Sequence, residues 1–338
     1  MSNPIAFWLS EIAGLALLAA AYGFHSRKKT NFAACALFFG LVAFVFPWIA
    51  VFGPLAAPEP AAAAGATQYQ VDLLNQLQVD LLRSRVVAQT PGDAKRLERH
   101  EATVFSQSGQ DGIIAEIFRR IGAESRYFVE FGSADGSENN TVLLLMGGWS
   151  GLWMEGAEAH ASSAASKFKT QIREGRLNVR HAFVTAENIE DLLRSANVPR
   201  SFDLLTIDID RNDYWVWQAI QSYSPRVVVI EYNAIYPPGI SWVVNYEPRS
   251  SWDGTSHFGA SLTALEALGR EKGYSLVGCN LTGSDAFFVR NDLVGSRFAP
   301  PFTAENHYQP PRYYMVWYKG GHPRRVAVPG RVELMPKR

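Results

Sequence analysis

Short apolar runs that end in an acid, each followed by a helical stretch, constrain the fold of this chain more than any other feature. Tyr127-Phe128-Val129-Glu130-Phe131 leads into the turn Gly132-Ser133-Ala134-Asp135-Gly136, and Gly151-Leu152-Trp153-Met154-Glu155 follows. Strands are expected near 127–131, 151–155, 178–184, 203–209, 226–231, 274–280 and 286–290, with helices at about 138–146, 157–174, 187–196, 213–222 and 261–272. Such alternation implies an α/β fold, a largely parallel sheet with helices on both faces. The apolar run Arg226–Glu231 reads as a central parallel strand. Thr282-Gly283-Ser284-Asp285 reads as a hairpin turn, so the sheet is expected to finish with an antiparallel strand. Ser108-Gly109-Gln110-Asp111 reads as a capping box that opens a helix running through Arg120.

Ligands of such sheets bind beyond the carboxyl ends of the strands. Glu130, Glu155, Asp208, Asp210 and Glu231 all fall at those ends, which marks one rim as a binding site rather than a solvated face. A strand-end acid about 20 residues beyond a glycine-rich turn is the usual ligand of ribose hydroxyls, and Glu155 occupies that place. A glycine-rich turn at a helix start also offers backbone amides to an anionic group.

The rest of the chain is organised differently. Residues 5–24 and 32–55 are apolar runs near the length that spans a bilayer, roughly 20 residues. His25-Ser26-Arg27-Lys28-Lys29-Thr30 joins them, so a transmembrane helical hairpin is expected. The basic turn places itself in the cytoplasm and the large domain outside. Glu11, an acid within the first run, suits either the membrane interface or a partner inside a membrane complex. Residues 56–67 read as a linker, and 68–89 as a helix with a Leu73, Leu74, Leu77 and Leu81 stripe, either packed on its own domain or docking a partner. Zero net charge gives no footprint for a nucleic-acid partner, and Cys35 and Cys279 form no disulfide framework. Beyond residue 297 the tail is Pro-rich, aromatic and then basic, suited to anionic lipid, to an acidic partner or to plain solvation.

Several words in order narrow the reading further: Phe105-Ser106-Gln107-Ser108-Gly109-Gln110-Asp111, Val129 to Gly136, Asn140-Thr141, Gly148-Trp149-Ser150-Gly151, Asp203 to Asp210, and Val229-Ile230-Glu231-Tyr232-Asn233. With them, residues 100–292 resemble the FkbM-like family of class I S-adenosylmethionine-dependent methyltransferases. The resemblance implies a Rossmann-like seven-stranded methyltransferase sheet. Glu130, Gly132, Ser133, Ala134 and Gly136 would hold the amino-acid part of S-adenosylmethionine, and Glu155 its ribose. Asp208 would contact cofactor or substrate. Ala134 departs from the commonest Gly-x-Gly-x-Gly pattern.

Methyl transfer needs an acceptor in line with the methyl group and a base for its proton. Asp208, Asp210 and Glu231 are the candidates, although Asp210 and Asp213 also suit a helix cap. Asp208, Glu231 and Asn233 would suit Mg2+ or Ca2+, but the family resembled is not generally metal-dependent and no metal is expected. The aromatic insert at 232–260 reads as a binding loop or as sheet-edge packing, with His257 a further candidate base. The expectation is a membrane-anchored methyltransferase acting on an oxygen of a small-molecule, glycan or lipid-linked acceptor. Its counterpart is a non-catalytic subunit that keeps the fold and docks in a membrane complex through residues 5–55 and 68–89. The cofactor is made in the cytosol, so the enzyme reading requires a cytoplasmic domain and the basic turn an external one.

Overall fold

The computed structural model describes residues 93–313 continuously, with helical positions between 74 and 88 and the short strand Val332–Leu334. All of these lie in the unit Ala66–Arg338. The apolar runs at 5–24 and 32–55 and the linker at 56–67 lie outside the described residues. Among the described residues no helix is long and apolar enough to cross a membrane. Leu74, Leu77 and Leu81 of the leucine stripe are exposed.

The strands are β1 (Tyr127–Phe131), β2 (Ser150–Glu155), β3 (Leu177–His181), β4 (Ser201–Ile207), β5 (Ser224–Glu231), β6 (Ile240–Trp242), β7 (Tyr274–Cys279), β8 (Asp285–Arg290) and β9 (Val332–Leu334). Seven form one sheet in the order β3-β2-β1-β4-β5-β8-β7. The first five run parallel, and β8 is antiparallel to both β5 and β7. This is the largely parallel sheet that the alternation implies, closed by the antiparallel strand of the terminal hairpin, and its seven strands are those that the family resemblance implies. β6 and β9 pair separately.

Successive side chains along each strand point to opposite faces of the sheet. Val129, Leu205 and Val228 point to one face, where they pack with Leu193, Trp217 and Leu265 of the helices Ile189–Ser195, Asp213–Ala219 and Leu262–Glu271. Phe128, Leu204 and Val227 point to the other and meet Ile113 and Ile117 of the helix Gln110–Ile121. Both faces are covered, which is why these strands read as continuous apolar runs. The core reaches beyond the sheet on both sides, to Leu97 and Phe298 on one and to Ala304 on the other.

Three expected elements differ. The stretch 157–174 breaks at Phe168 into Glu158–Lys167 and Lys169–Arg173, because the Phe168 ring turns inward onto the edge of Trp153 at 4.8 Å. The helix expected at 138–146 is only Val142–Met146, since Asn139, Asn140 and Thr141 fold instead around a buried carboxylate. The capping box lies upstream of its expected place. Gly109 precedes the helix at φ 92° with no side-chain cap. Ser106 Oγ accepts the Asp111 N–H, while Asp111 Oδ2 accepts those of Val104, Phe105 and Ser106.

Candidate functional site

The site is built on the turn after β1. Gly132, Ala134 and Gly136 have φ of 73°, 42° and 81°, the left-handed region. A Cβ on Gly132 would lie 1.6 Å from the Asp208 carbonyl oxygen, so only glycine lets the turn ride against the end of β4. Ala134 holds its conformation at a cost of about 1 kcal/mol. The amides of this turn face inward. Gly132 and Ser133 donate to the Met154 carbonyl, Ala134 to Glu155 and Gly136 to the Ser133 carbonyl. The Gly132, Ser133 and Ala134 amides thus fasten the turn to β2, and that of Gly136 closes the turn on itself. What the turn offers a ligand is Ser133 Oγ, which is 1% exposed and has no hydrogen-bond partner.

Glu130 and Glu155 are held in place by donors of their own loops. Glu130 accepts from Asn139 Nδ2 at 3.2 Å, from the Asn140 N–H at 2.9 Å and from the Thr141 hydroxyl. Thr141 is itself oriented by Trp153 Nε1 at 2.8 Å. Burial pushes the Glu130 carboxyl up to about 7, against the pull of these bonds. Glu155 takes the Ala134 N–H on one oxygen and the Ala157 N–H on the other, both at 2.7 Å. Each carboxylate oxygen accepts more than one bond, so Glu155 retains acceptor capacity for a diol.

Asp208 and Glu231 stand among further acids. Asp208, just past β4, opens onto solvent in a cavity and faces Asp210, Asp213, Asp285 and Glu130. Desolvation by the surrounding protein, then repulsion from those acids, raises its carboxyl well above the usual range. Glu231, at the end of β5, is raised by burial and by Asp208, Asp213, Asp210 and Asp285, and its Oε2 is buried without a partner. Asp285 lies directly opposite Glu231 in the β5–β8 register. It accepts from Gln110 Nε2 at 2.6 Å and from Ser284 Oγ at 3.0 Å. Asp213 is fully buried and accepts the Ile209 N–H, a structural role.

Two cavities meet at this turn, one of about 500 Å³ and one of about 510 Å³. The first holds Glu130, Ser133, Asp208, Glu231 and Asp285; the second holds Glu155, Phe183, Val184 and Asp210. Gly132, Ala134, His160 and Asp208 line both, so the two form one groove astride the turn. The structure thus gathers Glu130, Ser133, Asp208 and Glu231 and sets Glu155 and Asp210 on the other side. Gly136 lies behind the turn, where a Cβ would meet the Phe168 ring at 2.7 Å. Among the described residues no group of His, Cys, Asp and Glu is arranged to hold a metal. Asn233 is occupied elsewhere, donating to the Ser256 and Phe258 carbonyls.

The insert packs. Tyr236 stacks on the buried Trp242 at 4.5 Å, and Trp215 Nε1 donates to the Val244 carbonyl. Its Ser250 and Ser251 wall the second cavity, whereas His257 lines neither. Sequence reasoning missed Asp285, His160 and Gln110. The signal for Asp285 was present: an antiparallel last strand begins at the rim where its parallel neighbours end.

No protein-family model and no curated protein sequence matches the chain. Solved structures do resemble it. The N-terminal domain of EvdMO1 with SAH bound is 15% identical over 53% of this chain and 79% of that one, at a TM-score of 0.36. The magnesium protoporphyrin IX methyltransferase ChlM from Synechocystis PCC 6803 with bound SAM is 11% identical over 54% and 77%, at 0.34. A putative O-methyltransferase from Klebsiella pneumoniae is 18% identical over 64% and 99%, at 0.37. The ligands and reactions in these names belong to those proteins.

Proposed function

We propose that this domain is an FkbM-like methyltransferase that binds S-adenosylmethionine across the Gly132–Gly136 turn and methylates an oxygen of a small-molecule, glycan or lipid-linked acceptor. The observation that carries this reading is the single groove on both sides of that turn, with a diol acceptor, Glu155, on one side and an acid set on the other. The nucleoside would lie beside Glu155, Phe183 and Val184, and the sulfonium beside Asp208. A cation suits the acid side because, once burial has raised Asp208 and Glu231, it relieves the repulsion that raises them further. Ser133 Oγ would bond the amino-acid end. Asp208 or Glu231, each kept poised to hold a proton, would take the one released by an acceptor hydroxyl. Asp210, on the nucleoside side, is less well placed for that step.

The apolar runs at 5–24 and 32–55 would anchor the enzyme to a bilayer with its domain in the cytoplasm, where the cofactor is made. The test is transfer of label from methyl-labelled S-adenosylmethionine to a panel of polyhydroxylated acceptors, with wild type and Asp208→Asn. Incorporation that falls at least 100-fold in the variant supports the enzyme. A folded protein that binds the cofactor and labels no acceptor supports the non-catalytic docking subunit instead.

A further inference from the structure

The acid side of the groove holds more carboxyl groups than proton removal needs. Glu130, Asp208, Glu231 and Asp285 line one cavity, and among the described residues no lysine or arginine lines either cavity. The nearby Lys167 is taken up by Asp135 at 2.6 Å. Glu130 and Asp285 have local donors, but Glu231 Oε2 is buried with none, directly across the strand pair from Asp285. On the same cavity wall, Ser133 is buried with its hydroxyl unpartnered, a second and independent mark of a missing ligand.

A set of like charges with no counter-cation is relieved only by protons or by a bound cation. S-Adenosylmethionine and its product S-adenosylhomocysteine share every other group and differ by one methyl and one positive charge. In the transfer the S–CH3 bond breaks with its electron pair left on sulfur, and the O–CH3 bond forms. The acceptor's proton passes to a carboxylate and then to water. The product complex is left with a neutral thioether where the cation stood, and the repulsion between the acids returns.

We propose that the acid wall, with Glu231 and Asp285 as specificity-determining residues, makes this site select the sulfonium cofactor over its neutral product, so that fresh cofactor displaces S-adenosylhomocysteine after turnover. The proposal rests on the cofactor reading above and goes beyond it, because a site that held the adenosine and amino-acid parts alone would bind both molecules alike.

The experiment is calorimetric titration of the full-length chain with three probes: S-adenosylmethionine, S-adenosylhomocysteine, and sinefungin, which carries an ammonium near the sulfonium position. Both cationic ligands are expected to bind at least tenfold more tightly than the neutral product, about 1.4 kcal/mol. Glu231→Gln and Asp285→Asn should each narrow that ratio to about threefold and leave the affinity for S-adenosylhomocysteine within twofold. Product binding as tight as cofactor binding in the wild type overturns the proposal and leaves the cofactor reading standing. A ratio unchanged in both variants overturns it as well. A folded chain that binds none of the three probes overturns both readings. The wild-type ratio decides the matter even if a variant fails to fold.

Discussion

Asp203 and Asp208 sit at opposite ends of β4 and live in opposite electrostatic worlds. Asp203 is fully buried at the amino end, 3.1 Å from the Arg226 guanidinium, and it accepts the Glu124 and Arg126 N–H groups and the Ser125 hydroxyl. Asp208 stands among Asp210, Asp213, Asp285 and Glu130 with an open cavity before it. The lower carboxylate completes the fold. The upper one is left with a demand for positive charge that the fold itself does not meet. A sheet of this kind therefore has a closed end, which holds it together, and an open end, which selects a ligand.

The largest effect comes from breaking the closed end. Asp203→Ala leaves the Arg226 charge buried beside unpaired N–H groups and should destabilise the domain by about 3–5 kcal/mol, read by urea unfolding. The protein that remains folded should bind cofactor as the wild type does. A loss of binding without a loss of stability would erase the distinction between the two ends.

At the junction of turn and open end, Gly132→Ala drives a Cβ into the Asp208 carbonyl at 1.6 Å. It should destabilise by about 3 kcal/mol and abolish cofactor binding in whatever folds. Thermal melts with and without S-adenosylmethionine check both.

The smallest effect is a slope with pH. Glu130 rises from 4.5 to about 7 and Asp213 from 3.8 to about 7, both through burial first, with Asp208 and Glu231 also raised. The folded state keeps protons that the unfolded chain has already released, so stability is greatest below the unfolded values and is lost as pH rises through the folded ones. His307, held down to about 4 by burial, acts in the opposite sense but only below its ordinary 6.5. Between pH 6.5 and 8 the unliganded protein should therefore lose stability. Glu231→Gln should flatten that loss and raise stability at pH 8 by about 1 kcal/mol. A wild-type stability that climbs through this window would contradict the picture of an unrelieved open end.

Much of the fold was legible because apolar alternation and the terminal hairpin are local signals. The strands expected at 274–280 and 286–290 are Tyr274–Cys279 and Asp285–Arg290. The rim acids were legible because each ends such a run. What the sequence could not display were the partners. Arg226 reaches Asp203 only through the β4–β5 register, which sets Leu204 beside Val227. Asn139, Asn140 and Thr141 lie where a helix was expected, and their role appears only once Glu130 is buried above them. The inward amides of the turn were equally hidden, because a glycine pattern gives backbone freedom but not the direction in which the N–H groups point.

The most direct test of the central claim is calorimetric titration of S-adenosylmethionine into the full-length chain, with Glu155→Ala beside it. The account predicts micromolar binding to the wild type, about 8 kcal/mol, and its loss in a variant that stays folded. A folded wild type with no binding, or a Glu155→Ala protein that binds as well as the wild type, would contradict it.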